Sequence, residues 1–92
     1  SGFNVFPREI DEVLMAHPKI REAAAIGIPD DYRGEIIKAF VSLREGEILS
    51  EEALLAYCAD NLVKYKIPTI IEFTNDLPKT PVGKIDKKQL KI

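Results

Sequence analysis

The chain has no tryptophan, and only one cysteine (Cys58), one histidine (His17) and one methionine among its 92 residues. A lone cysteine excludes an internal disulfide, and one Cys with one His is too few for a zinc site. No apolar run reaches the roughly 18–20 residues of a membrane helix, and no signal-peptide pattern opens the chain. There is no G-x-G-x-x-G, no Ser/His/Asp spacing worth naming, no internal repeat and no low-complexity segment. Disulfide scaffolds, zinc modules and membrane helices drop out, and a reducing, cytoplasmic setting is the expectation.

What is present suits one small α+β domain over residues 1–92. Hydrophobic residues make up 46% and charged residues 30%, ordinary for a globular chain with a single core. The net charge of −2 hides an asymmetry: residues 1–61 hold 6 Lys/Arg against 12 Asp/Glu, whereas residues 62–92 hold 7 Lys against 3 acids. A basic end on an acidic domain suggests an anionic partner, and a merely solvated basic face fits the charge equally well. The opening "SGFNVFP" lacks Met and runs at once into a helix pattern, as a piece of a longer polypeptide or a processed terminus would.

Pro7 suits the first turn of a helix, and Glu9, Asp11 and Glu12 favour its N-terminal half. Ile10, Val13, Leu14 and His17 then mark one apolar face until Pro18 stops it. "EAAAIGIPDD" (22–31) reads as a buried strand, "YRGE" as a turn, and "IIKAFVSLR" (36–44) as a strand with one face on the core. The short connection predicts an antiparallel pair. Ser50 is placed to cap a second helix, with Leu54, Leu55, Cys58 and Leu62 as its buried stripe. "KYKIP" breaks that helix, "TIIEFTND" (69–76) reads as a third strand, "LPKTPVGK" as a loop and "IDKKQLK" as a short terminal helix. The expected fold is a small, mainly antiparallel three-stranded sheet with two helices on one face.

The chemistry-bearing residues are few. His17 sits on the edge of an apolar helix face, where packing or capping is the plainer role, and Cys58 belongs to a core stripe. "PKTPVGKI" is not a phosphate-binding P-loop: Pro78 stands where that loop opens on glycine, and Ile85 where it needs a hydroxyl for Mg²⁺. The segment still has a physical logic. Pro78 and Pro81 stiffen it, Gly83 permits a tight turn, and Lys84 follows with Lys79 upstream. Such an arm could hold an ammonium against developing phosphoryl charge, or be an ordinary surface turn.

"LPKTPVGKIDKKQL" resembles the closing signature of the adenylate-forming enzymes, in particular acyl-CoA synthetases: P-K-[ST]-x-[ST]-G-K-[IV] and then a basic helix. Upstream, "HPKIREAAAIGIPDDYRGEIIKAFV" resembles that family's HPxVxEAAVxGxPDxxxGExxxAFV run. "LVKYKIPTIIEF" resembles LxxYKxPxxxxF, and "SGFNVFPREIDEVL" resembles the segment after the interdomain hinge. The ordered matches cover the whole chain.

The resemblance implies a mobile C-terminal domain that completes two half-reactions begun on a large N-terminal domain of the same polypeptide. That domain would bind ATP, Mg²⁺ and a carboxylic acid. Lys84 matches the adenylation lysine, and its acetylation and deacetylation would switch the enzyme. Ser1, Gly2 and Phe3 match the loop lining the coenzyme A arm, Asn4 a nucleotide contact, and Arg33 and Lys66 cations for coenzyme A phosphates. For Phe3, Arg33 and Lys66, packing or plain solvation remains open. Val82 stands where a small polar residue is commoner, which predicts a loop with fewer hydrogen bonds, and the family's hinge residue is not in the chain. "GKID" hints at the amino-acid-adenylating branch. The competing reading is an interaction or nucleic-acid-binding module, weakened by the lack of aromatics among the lysines from Lys79 onward and by the acidic total.

Overall fold

The structure is a computed structural model and describes residues 7–90. Helix α1 spans Pro7–Met15, strand β1 Ile20–Asp30, β2 Gly34–Leu43, helix α2 Glu51–Asn61 and β3 Ile70–Phe73, with single 3-10 turns at Lys64–Lys66 and Lys87–Gln89. The sheet order is β1-β2-β3. No helix among the described residues is long and apolar enough to cross a membrane.

The helices form where the pattern places them. Ile10 and Leu14 of α1 are fully buried, one turn apart. The chain then turns through His17, whose Nδ1 accepts from Lys19 N at 3.1 Å and whose ring meets Tyr57 edge-on at 4.7 Å. His17 is thus a capping and packing residue. Ser50 keeps an extended backbone (φ −80, ψ 157) and its Oγ accepts from Ala53 N at 3.0 Å, the N-cap of α2. Leu54 and Cys58 of α2 join Ile10, Leu14, Ala23, Ala25, Ile37, Ala39, Val41, Leu62 and Ile71 in one core.

The first two strands form the expected antiparallel hairpin, in register from Asp30↔Gly34 back to Glu22↔Ser42. The third pair differs: β3 runs parallel to β2, from Lys38↔Ile70 to Val41↔Phe73. The reason is the connection. An intervening helix carries the chain back across the sheet, so β3 starts where β2 started. The sheet stays mainly antiparallel, with one parallel edge strand.

Two local expectations change. The terminal helix is a single 3-10 turn, capped by Asp86, whose carboxylate accepts from Lys88 N at 3.2 Å and Gln89 Nε2 at 2.9 Å. Strand β2 is buried on both faces rather than one: Lys38, Phe40 and Ser42 are buried as fully as Ile37, Ala39 and Val41. The chain after β3 returns over the second face. There Ser42 Oγ accepts from Arg21 at 2.7 Å and donates to Asn75 O at 3.1 Å, and Leu77 is buried. Arg21 is the extra residue of a bulge between Ile20 and Glu22, which re-aims its side chain toward Ser42. Lys38 survives burial because its amine lies 3.0 Å from Glu72 and over the Phe40 ring.

Candidate functional site

"PKTPVGKID" folds as a miniature hairpin. Lys79 and Ile85 bridge antiparallel, and Asp86 N donates to Pro78 O at 2.8 Å. Inside that base, Thr80 N donates to Lys84 O at 2.7 Å and Gly83 N to Thr80 O at 2.9 Å. Pro81 is the second residue of this turn, where its fixed φ fits. Gly83 takes φ +88, a conformation that favours glycine. Thr80 Oγ1 also accepts from Lys84 N at 3.2 Å.

The turn is therefore well bonded despite Val82, which points to solvent at 81% exposure. The hydrogen bonds come from Thr80 and the backbone, so a polar side chain at position 82 is not needed to close it. Lys84 is exposed, and its amine has no ion pair or hydrogen bond among the described residues.

Three other lysines of this basic end behave differently. Lys79 Nζ lies 2.7 Å from Glu22 on β1 and 3.7 Å from Asp76, and donates to Leu77 O at 3.3 Å. Lys87 Nζ lies 2.7 Å from Asp11 on α1. Lys66 Nζ meets Glu9 at 2.6 Å, and this hydrogen bond raises the Lys66 pKa. Three of the seven lysines of residues 62–92 thus pair with the domain's own acids. Glu22, Asp11 and Glu9 carry no local signal of this pairing, because each partner is more than fifty residues away.

Arg33 sits in the β1–β2 turn, exposed and without an ion pair among the described residues. Asp30 Oδ2 shapes the turn by accepting from Tyr32 N at 3.2 Å and Arg33 N at 2.9 Å, and Gly34 closes it at φ 78. Lys66 precedes β3 at the same end of the sheet, since Thr69 N bonds Ile37 O. The Lys84 hairpin is rooted instead beside Glu22, eight residues from Asp30 along β1, or roughly 27 Å of extended strand. Arg33 and Lys66 lie toward one end of the sheet, whereas the Lys84 hairpin is tied at Glu22 on β1 and, through Lys87 and Asp11, to α1. Ser1, Gly2, Phe3 and Asn4 lie outside the described residues. No group of three or more potential metal ligands occurs among the described residues.

The fold is thus a small α+β domain that carries an exposed lysine, without an ion pair among the described residues, on a well-bonded hairpin. The chain belongs to the AMP-binding enzyme C-terminal domain family, whose model matches residues 9–84. It is 51% identical over 89 residues to the crotonobetaine/carnitine–CoA ligase of Proteus mirabilis, covering 97% of this chain and 17% of the relative. It is 45% identical over 91 residues to the long-chain-fatty-acid–CoA ligase of Escherichia coli O157:H7, covering 99% and 16%. Among solved structures, the o-succinylbenzoate CoA synthetase of Bacillus subtilis with its acyl-adenylate intermediate superposes with a TM-score of 0.92 at 34% identity, over 100% of this chain and 19% of that one. An amide bond synthetase from Marinactinospora thermotolerans gives 0.89 at 38% identity, over 95% and 18%. The chain spans about a sixth of the length of the curated relatives it matches.

Proposed function

We propose that residues 1–92 form the mobile C-terminal domain of an AMP-forming carboxylate–CoA ligase, with Lys84 as its adenylation cation. The observation that carries this reading is the Lys84 amine, exposed and unpaired on a hairpin that Lys79 and Lys87 tie to the domain. In the first half-reaction a carboxylate oxygen bonds to the α-phosphorus of ATP, and the bond from that phosphorus to pyrophosphate breaks. Two anions must approach, and an ammonium between them offsets the charge that grows in the transition state. In the second half-reaction a thiol sulfur attacks the acyl carbon, loses its proton, and AMP leaves.

The second step needs cations for coenzyme A phosphates, and Arg33 is the better placed of the two candidates because Lys66 is engaged by Glu9. The placement of Arg33 in the β1–β2 turn, away from the Lys79–Glu22 anchor of the Lys84 hairpin, suits a domain that rotates to present a different face in each step. ATP, the carboxylic acid and Mg²⁺ would be bound by a large N-terminal domain of the same polypeptide, in the cytoplasm. The alternative acceptor is the carrier-protein thiol of the amino-acid-adenylating branch, which "GKID" resembles.

The test is Lys84→Ala in the full-length enzyme. Removing one preorganised donor lowers adenylation, read as ATP–pyrophosphate exchange, by about 10²–10³-fold. Thioester formation from supplied acyl-AMP stays near the parent rate. Enzyme acetylated at Lys84 by a lysine acetyltransferase behaves like the alanine variant, and a deacetylase restores it. Equal loss in both half-reactions would overturn the role assigned to Lys84.

A further inference from the structure

The hairpin of residues 79–86 is held at both ends, by two lysines that flank Lys84. On its first strand, Lys79 Nζ reaches Glu22 at 2.7 Å, with Asp76 and Leu77 O completing its surroundings. Just past its second strand, Lys87 Nζ reaches Asp11 at 2.7 Å. Both acids are largely covered, Glu22 at 20% and Asp11 at 13% side-chain exposure, so water screens these pairs less than pairs on an open surface.

Each acid also has a second contact. Asp11 Oδ1 accepts from Ala25 N at 2.7 Å, joining α1 to β1. The buried Oε1 of Glu22 makes no hydrogen bond of its own and lies 3.7 Å from Arg21, the bulge residue that bonds Ser42 and Asn75. The three backbone hydrogen bonds of the hairpin all run between residues 78 and 86, so nothing in the ladder itself fixes its pose against the sheet.

We propose that Lys79–Glu22 and Lys87–Asp11 are a paired clamp whose task is to position Lys84 for adenylation. These four are positioning residues: they set the direction of the hairpin, and Lys84 meets the substrate. The proposal rests on the adenylation reading of Lys84. Two partly buried pairs together shift the population of the docked hairpin by about tenfold, and a displaced donor loses rate in proportion.

The experiment compares Lys79→Met/Lys87→Met with Lys88→Met, which removes one positive charge from an exposed lysine that clamps nothing. In the 92-residue chain, amide exchange at Thr80, Gly83 and Asp86 is expected to quicken about tenfold in the double variant and to stay unchanged in the control. In the full-length enzyme, adenylation falls about tenfold while thioester formation from supplied acyl-AMP holds, and Lys79→Arg with Lys87→Arg restores adenylation. Exchange and adenylation matching the Lys88→Met control would overturn the clamp. So would equal loss in both half-reactions, which would mean general destabilisation. If Lys84→Ala leaves adenylation intact, the adenylation reading falls and takes this proposal with it. If Lys84→Ala is crippled while the clamp variants are not, the clamp alone falls.

Discussion

Gly83→Ala isolates the backbone geometry that aims Lys84. At φ +88 the position lies beyond the left-handed minimum near +57°, and an L-residue placed there is strained by roughly 1–2 kcal/mol. No clash adds to this, because a Cβ built at Gly83 meets nothing within 4 Å. Alanine also restricts the unfolded chain, which returns about 0.4–1 kcal/mol in favour of folding. The net is a loss of about 1 kcal/mol, confined to the hairpin. The strain can be relieved by opening the turn, so the bonds from Gly83 N to Thr80 O and from Thr80 N to Lys84 O are the first to go. Amide exchange at those two sites is the sensitive assay, with urea unfolding as the global measure. Asparagine tolerates positive φ better than alanine, so the expected order of protection is Gly83, then Gly83→Asn, then Gly83→Ala. Equal protection in the two variants, or an alanine variant as protected as the parent, would refute the backbone argument.

Two further outcomes follow from other parts of the molecule. Ser50→Ala removes the N-cap of α2 and lowers stability to urea by about 1 kcal/mol, whereas Ser50→Asp, which can also accept from Ala53 N, stays near the parent. Stability should decline on the alkaline side, because burial raises the Cys58 pKa and the Glu9 hydrogen bond raises that of Lys66. A raised folded pKa means the folded state holds its proton longer, so the contribution is complete below the unfolded pKa and is lost as pH climbs through the folded one. Thermal unfolding followed upward from pH 7 should show Cys58→Ala flattening the decline from about pH 8.5 and Lys66→Met from about pH 10.4. Parallel curves for parent and variants would contradict both assignments.

Much of the local structure is legible residue by residue. Pro18 ends α1, Ser50 starts α2, and Gly34 and Gly83 close turns for reasons that need only neighbours a few positions away. The core stripe of Leu54 and Cys58 follows from helical spacing, and the family resemblance lies in ordered motifs. Burial of Lys38, Phe40 and Ser42 was not legible in the same way. Alternation reports which residues share a face but not whether a later segment comes back to cover it.

By itself, then, the sequence determined the order and kind of most elements, the stiff turn around Lys84 and the family, because propensity, periodicity and capping act over short separations. Only the tertiary structure decided that β3 runs parallel, that β2 is covered on both faces, and how the basic end is used. The charge excess of residues 62–92 read as a surface awaiting an anion. In the fold, Lys66, Lys79 and Lys87 find Glu9, Glu22 and Asp11, while Lys84 finds no partner among the described residues. Charge counts are summed along the chain, whereas pairing depends on distance in space. That difference sets Lys84 apart from three lysines that look the same in sequence.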